Sequence, residues 1–391
     1  MELYSIKEVR PADRTGGQRT MGAMDLISVM GHEQVLYCHD KDTQLKAIIA
    51  IHDTTLGPAL GGCRFWNYAD EHEALIDVLR LSRGMTYKAS IAGLKLGGGK
   101  AVIIGNPSRL KSEKFFRAFG AFINSLGGRY ITAEDVNTRV EDLGFVAKET
   151  PYVTGISSQV GGSGDPSPVT ALGVYYGIKA AVEYRFKNSS LRGLTVAVQG
   201  CGSVGRHLCE LLYKDGVRLI VTDINRSSAD YVSKEFDAKV VGPEEIHKAH
   251  ADVYSPCALG GILNEKSIPE IQAPIVAGAA NNQLLDEFND GTRLRDKGIL
   301  YAPDYVINAG GLINVAHELS GYSEEQAKND AKRIFQTTLK VFELADGRKI
   351  PTNQASDELA LKRINEVKAL HSSNHHRLNT YHNQDWIRKI H

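Results

Sequence analysis

Thr195-Val-Ala-Val-Gln199, followed at once by Gly200-Cys201-Gly202-Ser203-Val204-Gly205, is the stretch that decides the fold. Its first five residues read as a buried strand, and the chain after Gly205, through Arg206, Leu208 and Leu212, reads as a helix. A second strand over Arg218–Thr222 completes the order in which a chain cradles a dinucleotide. Gly200 permits the tight turn, Gly202 lets the backbone approach a pyrophosphate, and Gly205 lets the helix pack closely on the sheet. The helix N-terminal amides, with Ser203 and Val204 in the same turn, then face the phosphates. Asp223 ends the second strand, 23 residues after Gly200. A carboxylate there accepts hydrogen bonds from ribose hydroxyls and repels a 2′-phosphate, so the expected cofactor is NAD, with Arg226 weakening that preference slightly.

Downstream, Asp252–Tyr254, Ile275–Gly278 and Tyr305–Ile307 read as further strands, with helical stretches between the earlier ones. Such alternation implies βαβ units and a parallel sheet covered on both faces, here a Rossmann-type domain over residues 166–349. The cluster Gly161-Gly-Ser-Gly-Asp-Pro-Ser-Pro168 reads as the connection to it. Upstream, Lys46–His52 and Lys100–Ile104 read as strands. A helix lies between them, capped by Asp70 with Glu73 and running out near Gly84. From Ser323 onward two helices are expected, the first capped by Ser323 with Gln326 and apolar at Ala327, Ala331, Ile334, Phe335, Val341 and Phe342. At 391 residues the chain is too long for one core. The expectation is an α/β protein of two domains. An N-terminal α/β substrate and oligomerisation domain, 1–165, is rejoined by C-terminal helices 350–391, and an active-site cleft lies between it and the dinucleotide domain.

Lys plus Arg and Asp plus Glu both number 46, so no global field recruits nucleic acid or an anionic membrane. A small neutral or zwitterionic partner suits such a surface better. The five cysteines, Cys38, Cys63, Cys201, Cys209 and Cys257, read as free thiols in a reducing compartment, and no His/Cys spacing fits a metal. No stretch has the length of a membrane span and no signal pattern opens the chain, so a cytoplasmic location is expected. Residues 1–20 read as a loosely held arm, and the histidines at 371, 375, 376 and 382 as a solvated tail.

Arg83-Gly-Met-Thr-Tyr-Lys88 and Gly97-Gly98-Gly99-Lys100 are rich in chemistry. Three glycines before a lysine cost backbone entropy, and clearing room for a ligand is the natural explanation. Two lysines on either side of such a loop suit a small acid, one as a fixed cation for its carboxylate. The other becomes a base if burial and a neighbouring cation lower its pKa.

These segments, together with Thr54-Thr-Leu-Gly-Pro-Ala-Leu-Gly-Gly62, Thr132-Ala-Glu-Asp135, Asp165-Pro-Ser-Pro-Val-Thr170, Ala279-Ala-Asn-Asn-Gln283 and Asn308-Ala-Gly-Gly311, resemble the Glu/Leu/Phe/Val dehydrogenase family. The resemblance runs from about Gly31 to the final helices and is strongest to the branch acting on leucine. It implies reversible, NAD-dependent oxidative deamination of an apolar L-amino acid, branched-chain favoured, to a 2-oxo acid and ammonium by a homo-oligomer. By resemblance Lys88 holds the substrate carboxylate, Lys100 activates water, and Asp135 shuttles protons at the amino group. Thr170, Asn281 and Asn308 orient the nicotinamide or the substrate beside it. Cys257 and Ala258 fall with the cofactor site, and Gly61 and Gly62 with the substrate site.

Where glutamate dehydrogenases carry a lysine and a serine, this chain has Leu60 and Val315. With Ala133 and Leu312 these make an apolar pocket, in which an unpartnered carboxylate would cost on the order of several kcal/mol. An aromatic substrate, tryptophan or phenylalanine, is the alternative, since Asn137 and Leu312 depart from the leucine pattern towards a tryptophan-type one. Lys95 and Cys63 are further departures. Two other readings remain. A 2-hydroxy-acid dehydrogenase would need a His base paired with a carboxylate and an Arg for the substrate carboxylate, and the candidates His52, Arg64 and Arg83 lack that context; a non-catalytic nucleotide sensor would not need Lys88, Lys100 and Asp135.

Overall fold

The computed structural model describes residues 21–157, 159 and 161–373. The expected N-terminal arm and the histidines at 375, 376 and 382 lie outside them. Two compact units are formed. One comprises the chain through Tyr87 together with Lys95–Ile156, and the other comprises Lys88–Leu94 together with the chain from Ser157.

The first unit contains α1 (Ala23–Met30), β1 (Gln34–Asp40), β2 (Leu45–Asp53), β3 (Ala59–Trp66) and most of α2 (Glu71–Ile91). After these come β4 (Gly97–Ile104), α3 (Pro107–Leu110), α4 (Glu113–Ser125), β5 (Tyr130–Ala133) and α5 (Val140–Val146). Its five strands run in the order β1-β2-β4-β3-β5. β1, β2 and β4 pair antiparallel, while β3 is parallel to both β4 and β5. Alternation along the strands sorts side chains to two faces. Ile49, Ile51, Cys63, Phe65, Ala101 and Ile103 pack with Phe115, Phe116 and Phe119 of α4. Ile48, Ala50 and Val102 pack with Leu75, Val78 and Leu79 of α2. Lys100 and Arg64, being of opposite parity to Ala101 and Cys63, belong to the α2 face.

α2 does not stop at Gly84 but continues to Ile91. Gly84 is exposed, and a single glycine costs a helix only about 1 kcal/mol, which the apolar face repays.

The second unit contains α6 (Ser167–Phe186), β6 (Thr195–Gln199), α7 (Ser203–Lys214), β7 (Arg218–Thr222), α8 (Arg226–Phe236), β8 (Lys239–Val240), β9 (Val253–Pro256) and β10 (Ile275–Val276). Then follow α9 (Asn289–Asp296), β11 (Leu300–Tyr301), α10 (Asp304–Ile307), α11 (Gly310–Ala316), α12 (Glu324–Ala331), α13 (Ile334–Arg348) and α14 (Thr352–Ser373). Its six strands, all parallel, are ordered β11-β10-β9-β6-β7-β8. Strand order therefore reverses between β6 and β9, the switch point at which doubly wound sheets bind nucleotides.

Tyr305–Ile307, expected as a strand, is helical. Pro303 and the carboxylate of Asp304, which accepts the Tyr305 N–H at 2.6 Å, start a helical turn that overrides the β-branched side chains. Among the described residues the C-terminal region forms three helices rather than two, the first two separated at Lys332 and Arg333. The division between units also differs from the expected one. It falls after Ile156, and α14 belongs with the dinucleotide sheet. There Ser90 Oγ donates to Ala360 O at 2.8 Å, and Arg363 donates to the carbonyls of Ser90 (2.7 Å), Gly93 (3.2 Å) and Leu94 (2.8 Å).

Candidate active site

In the first unit Lys100 stands on the central strand β4, only 5% exposed, and its Nζ pairs with Asp135 Oδ2. Asp135 follows β5 in a tight turn. Its N–H donates to Thr138 Oγ1 (2.8 Å), and its Oδ1 accepts the Val136 N–H (2.6 Å). Burial alone would push the Asp135 carboxyl up. The Lys100 ammonium and the Arg64 guanidinium outweigh it and hold the group down at about 2.

The triple glycine has a different cause from the one expected. A Cβ on Gly97 would stand 2.1 Å from Asp53 O, one on Gly98 2.0 Å from Thr86 N, and one on Gly99 2.7 Å from Tyr130 Cδ2. Each missing side chain is replaced by protein, not by a ligand. The same holds for Gly61, against Gly99 O at 1.8 Å, and Gly62, against Glu134 O at 2.3 Å. This close packing brings β3, β4, α2 and the Asp135 turn together around Lys100. Leu60 and Ala133 lie on the neighbouring strands β3 and β5, both buried.

Asn137 adopts φ 58°, and its Nδ2 donates to Phe65 O at 3.1 Å. Asparagine is among the few residues other than glycine that tolerate this backbone, so the turn accounts for an asparagine at this position. Asp77 and Tyr68 were not picked out by sequence, and Arg64 was weighed only as a candidate for 2-hydroxy-acid chemistry. Arg64 reaches both Asp135 (Nε, 3.3 Å) and Asp77 (Nη1, 2.9 Å). Tyr68 OH donates to Asp77 at 2.6 Å. Their only signal was a charged residue two positions after Gly62.

In the second unit the residues of the β6–α7 turn gather at the switch point. Gly200 has φ 105°, and a Cβ there would meet Ala258 N at 2.9 Å and the Cys257 carbonyl carbon at 3.0 Å. A Cβ on Gly205 would strike Gly200 O at 1.9 Å, whereas around Gly202, the N-cap of α7, nothing lies within 4 Å. The one glycine with open space is thus the one where a phosphate needs to approach. Ser203 Oγ donates to Asp165 Oδ2 at 3.2 Å. Val204 packs against the core. Asp223 is oriented by two backbone amides, Cys201 N–H on Oδ2 and Asn225 N–H on Oδ1, both 2.7 Å. Arg226 turns to Asp230 at 2.9 Å. Cys257 and Ala258 follow β9 directly.

Asn308, at the end of α10, donates from Nδ2 to Asn281 Oδ1 (2.8 Å) and Ala279 O (3.0 Å), while its buried Oδ1 has no partner among the described residues. An orphaned buried acceptor of this kind costs about 1–3 kcal/mol and suits a donor supplied by a ligand. Thr170 on α6 donates to Pro166 O at 3.0 Å, beside Gly311, and Leu312 and Val315 are buried on α11. Lys88 lies half-buried in the last turn of α2, the turn tied to α14. Among the described residues no cluster of His, Cys, Asp and Glu suits a metal, and no helix is long and apolar enough to cross a membrane.

One unit with a parallel sheet and a dinucleotide turn at its switch point, and another in which a buried lysine pairs with an aspartate, describe a dehydrogenase. Residues 32–152 match the family described as Glu/Leu/Phe/Val dehydrogenase, dimerisation domain, and residues 161–225 and 219–371 match Glutamate/Leucine/Phenylalanine/Valine dehydrogenase. The chain belongs to this family and is an amino-acid dehydrogenase. It is 54% identical to the leucine dehydrogenase of Geobacillus stearothermophilus over 352 residues, covering 89% of this chain and 96% of that one. It is 52% identical to the L-tryptophan dehydrogenase of Nostoc punctiforme over 344 residues, 88% and 96% of the two chains. The crystal structure of L-tryptophan dehydrogenase from Nostoc punctiforme superposes with a TM-score of 0.79 at 51% identity, over 88% of this chain and 99% of that one.

Proposed function

We propose that the protein catalyses the reversible, NAD-dependent oxidative deamination of an apolar L-amino acid, leucine and its branched-chain relatives favoured, to the 2-oxo acid and ammonium. The observation that carries this reading is the buried pairing of Lys100 with Asp135. Gly200, Gly202, Gly205 and Ser203 would hold the NAD phosphates, Asp223 a ribose, and Thr170, Asn281 and Asn308 the nicotinamide end. The open space at Gly202 and the orphaned Asn308 Oδ1 are what such a ligand needs. When bound, NAD supplies the acceptor for the hydride leaving Cα.

The chain's own residues do the rest. Lys88 binds the substrate carboxylate, Asp135 exchanges a proton with the amino nitrogen, and Lys100, once its own ammonium proton has been given up, takes a proton from the water that adds to the imine carbon. Amino acid, NAD+ and water thereby give oxo acid, ammonium, NADH and a proton. Leu60 and Ala133 are buried on β3 and β5, and Leu312 and Val315 on α11; apolar side chains at these positions penalise a distal carboxylate. Asp223 without a free neighbouring guanidinium favours NAD over NADP. A homo-oligomer in the cytoplasm is part of the same proposal. It is supported by the dimerisation description of the first unit's family and by five free thiols.

NADH oxidation with ammonium and a panel of ketoisocaproate, ketoisovalerate, phenylpyruvate, indolepyruvate and 2-oxoglutarate tests the reading. Preference for ketoisocaproate or ketoisovalerate is expected. Turnover of indolepyruvate above both would move the substrate to tryptophan, and turnover of none would leave a nucleotide sensor.

A further inference from the structure

The Asp135 turn is already fastened to β3 through its main chain. Thr138 Oγ1 donates to Cys63 O (2.8 Å), Phe65 N–H donates to Val136 O (2.9 Å), and Asn137 Nδ2 donates to Phe65 O. Arg64 sits between these anchors and takes no part in them. Its side chain leaves on the opposite face, where its shorter contact is with Asp77 of α2, a carboxylate also held by Tyr68 OH, and its longer one is with Asp135. The guanidinium is thus seated on α2 and lends its charge across to the catalytic carboxylate.

The lone pairs of Asp135 show what this achieves. Oδ1 accepts from Val136 N–H and from Arg64 Nε, which fills its two acceptor directions. Oδ2 faces Lys100 and keeps one direction open. We propose that Arg64 is a positioning residue for the deamination: by bridging Asp77 and Asp135 it fixes which oxygen of Asp135 meets the substrate nitrogen and keeps that carboxylate charged. This rests on the reading that Asp135 exchanges the amino-group proton. The other titratable groups around Asp135 are Lys100 from β4, Cys63 from β3, Tyr130 from β5, Tyr68 from the segment after β3, and Asp77 from α2. Arg64 and Lys100 are the cations in direct contact with it. Lysine at position 64 keeps the charge but lacks the planar fork that spans two carboxylates.

The test uses the full chain with Arg64→Gln and Arg64→Lys. Two measurements are made: kcat/KM against pH with NAD and the preferred amino acid, and the titration of the Asp135 carboxyl by 13C NMR, assigned by its loss in Asp135→Asn. Removing an opposite charge at this range moves a carboxyl by about 1–3 pH units, so Arg64→Gln should raise the Asp135 titration, and the acid limit of activity, by that amount. Arg64→Lys should leave the titration within about one pH unit while lowering kcat, because charge survives and direction does not. An unmoved titration in Arg64→Gln overturns the proposal, as does a loss of activity that is the same at every pH in both variants. Absence of turnover in the unaltered enzyme would defeat the deamination reading alone, since the NMR titration judges Arg64 without activity. Should Arg64→Gln fail to fold, full kcat in Arg64→Lys overturns the positioning role and a lowered kcat supports it.

Discussion

Gly98→Ala separates two explanations of the triple-glycine strand. The added methyl would lie 2.0 Å from Thr86 N, 2.2 Å from Thr86 Oγ1 and 2.5 Å from Thr86 Cα, against a comfortable heavy-atom separation of about 3.5–4 Å. Two of these atoms are helix backbone, so no rotamer change relieves the clash, and either α2 or β4 must move by more than about 1 Å. Overpacking of this kind costs about 1–3 kcal/mol or more. The loss of unfolded-state freedom on going from glycine to alanine returns at most about 1 kcal/mol. A net loss of about 2 kcal/mol lowers the melting temperature by roughly 4–8 °C at 2–4 °C per kcal/mol. Because Lys100 stands two residues further along the strand, kcat should fall as well. Differential scanning calorimetry and steady-state kinetics on the same preparation read both effects. Gly202→Ala is the control: with nothing within 4 Å and φ −70°, it should melt like the parent but bind NAD poorly. If Gly98→Ala melts like the parent and only the substrate KM rises, the strand is clearing space for a ligand and the packing argument is wrong.

Lys100→Ala should abolish turnover by several orders of magnitude while NAD affinity, followed by fluorescence titration, stays within about threefold; equal loss of both would remove Lys100 from the proton chemistry. Buried His32 and half-buried His52, their rings 4.8 Å apart, are held at about 3 and about 4, chiefly by loss of hydration, then by His52 and Arg83 in turn. Because both are depressed below the ordinary imidazole value of 6.5, the unfolded chain binds the protons first. Stability is then full above pH 6.5 and is lost as pH falls towards 4, at up to about 2.7 kcal/mol per pH unit for the pair. Urea unfolding between pH 6 and 5 should show that slope, and His52→Gln should roughly halve it; a flat profile would mean the imidazoles charge within the fold. Asn137→Gly should leave the ratio of leucine to tryptophan turnover unchanged, because the side chain serves Phe65 O; a changed ratio in the oxo-acid panel would return Asn137 to the substrate site.

The dinucleotide sheet was legible because strand, glycine turn, helix and Asp223 are contiguous, so local signals suffice. Tyr305–Ile307 misled for the same reason inverted. A short apolar run has no period of its own, and the helical start came from Pro303 and Asp304 outside it. β3 went unread because Gly61 and Gly62 look like a turn, although they are strand residues whose missing side chains admit Gly99 O and Glu134 O. Lys100 was suggested by its glycine loop but Asp135 only by resemblance, and their pairing across 35 positions has no local trace. Arg64, joined to partners at 77 and 135, is visible only once the sheet is folded.

The fastening of Arg363 and Ala360 to the segment from Ser90 to Leu94 links residues some 270 positions apart. Lys88 is made early on the ribosome, yet the scaffold behind its helical turn arrives only when the last long helix has been synthesised. A nascent chain halted before position 352 therefore carries every residue of the nucleotide turn but leaves the Ser90 hydroxyl and the carbonyls of Ser90, Gly93 and Leu94 to water. Cofactor binding should be acquired before amino-acid recognition during synthesis, a sequence of events that ribosome-arrested chains of graded length would display.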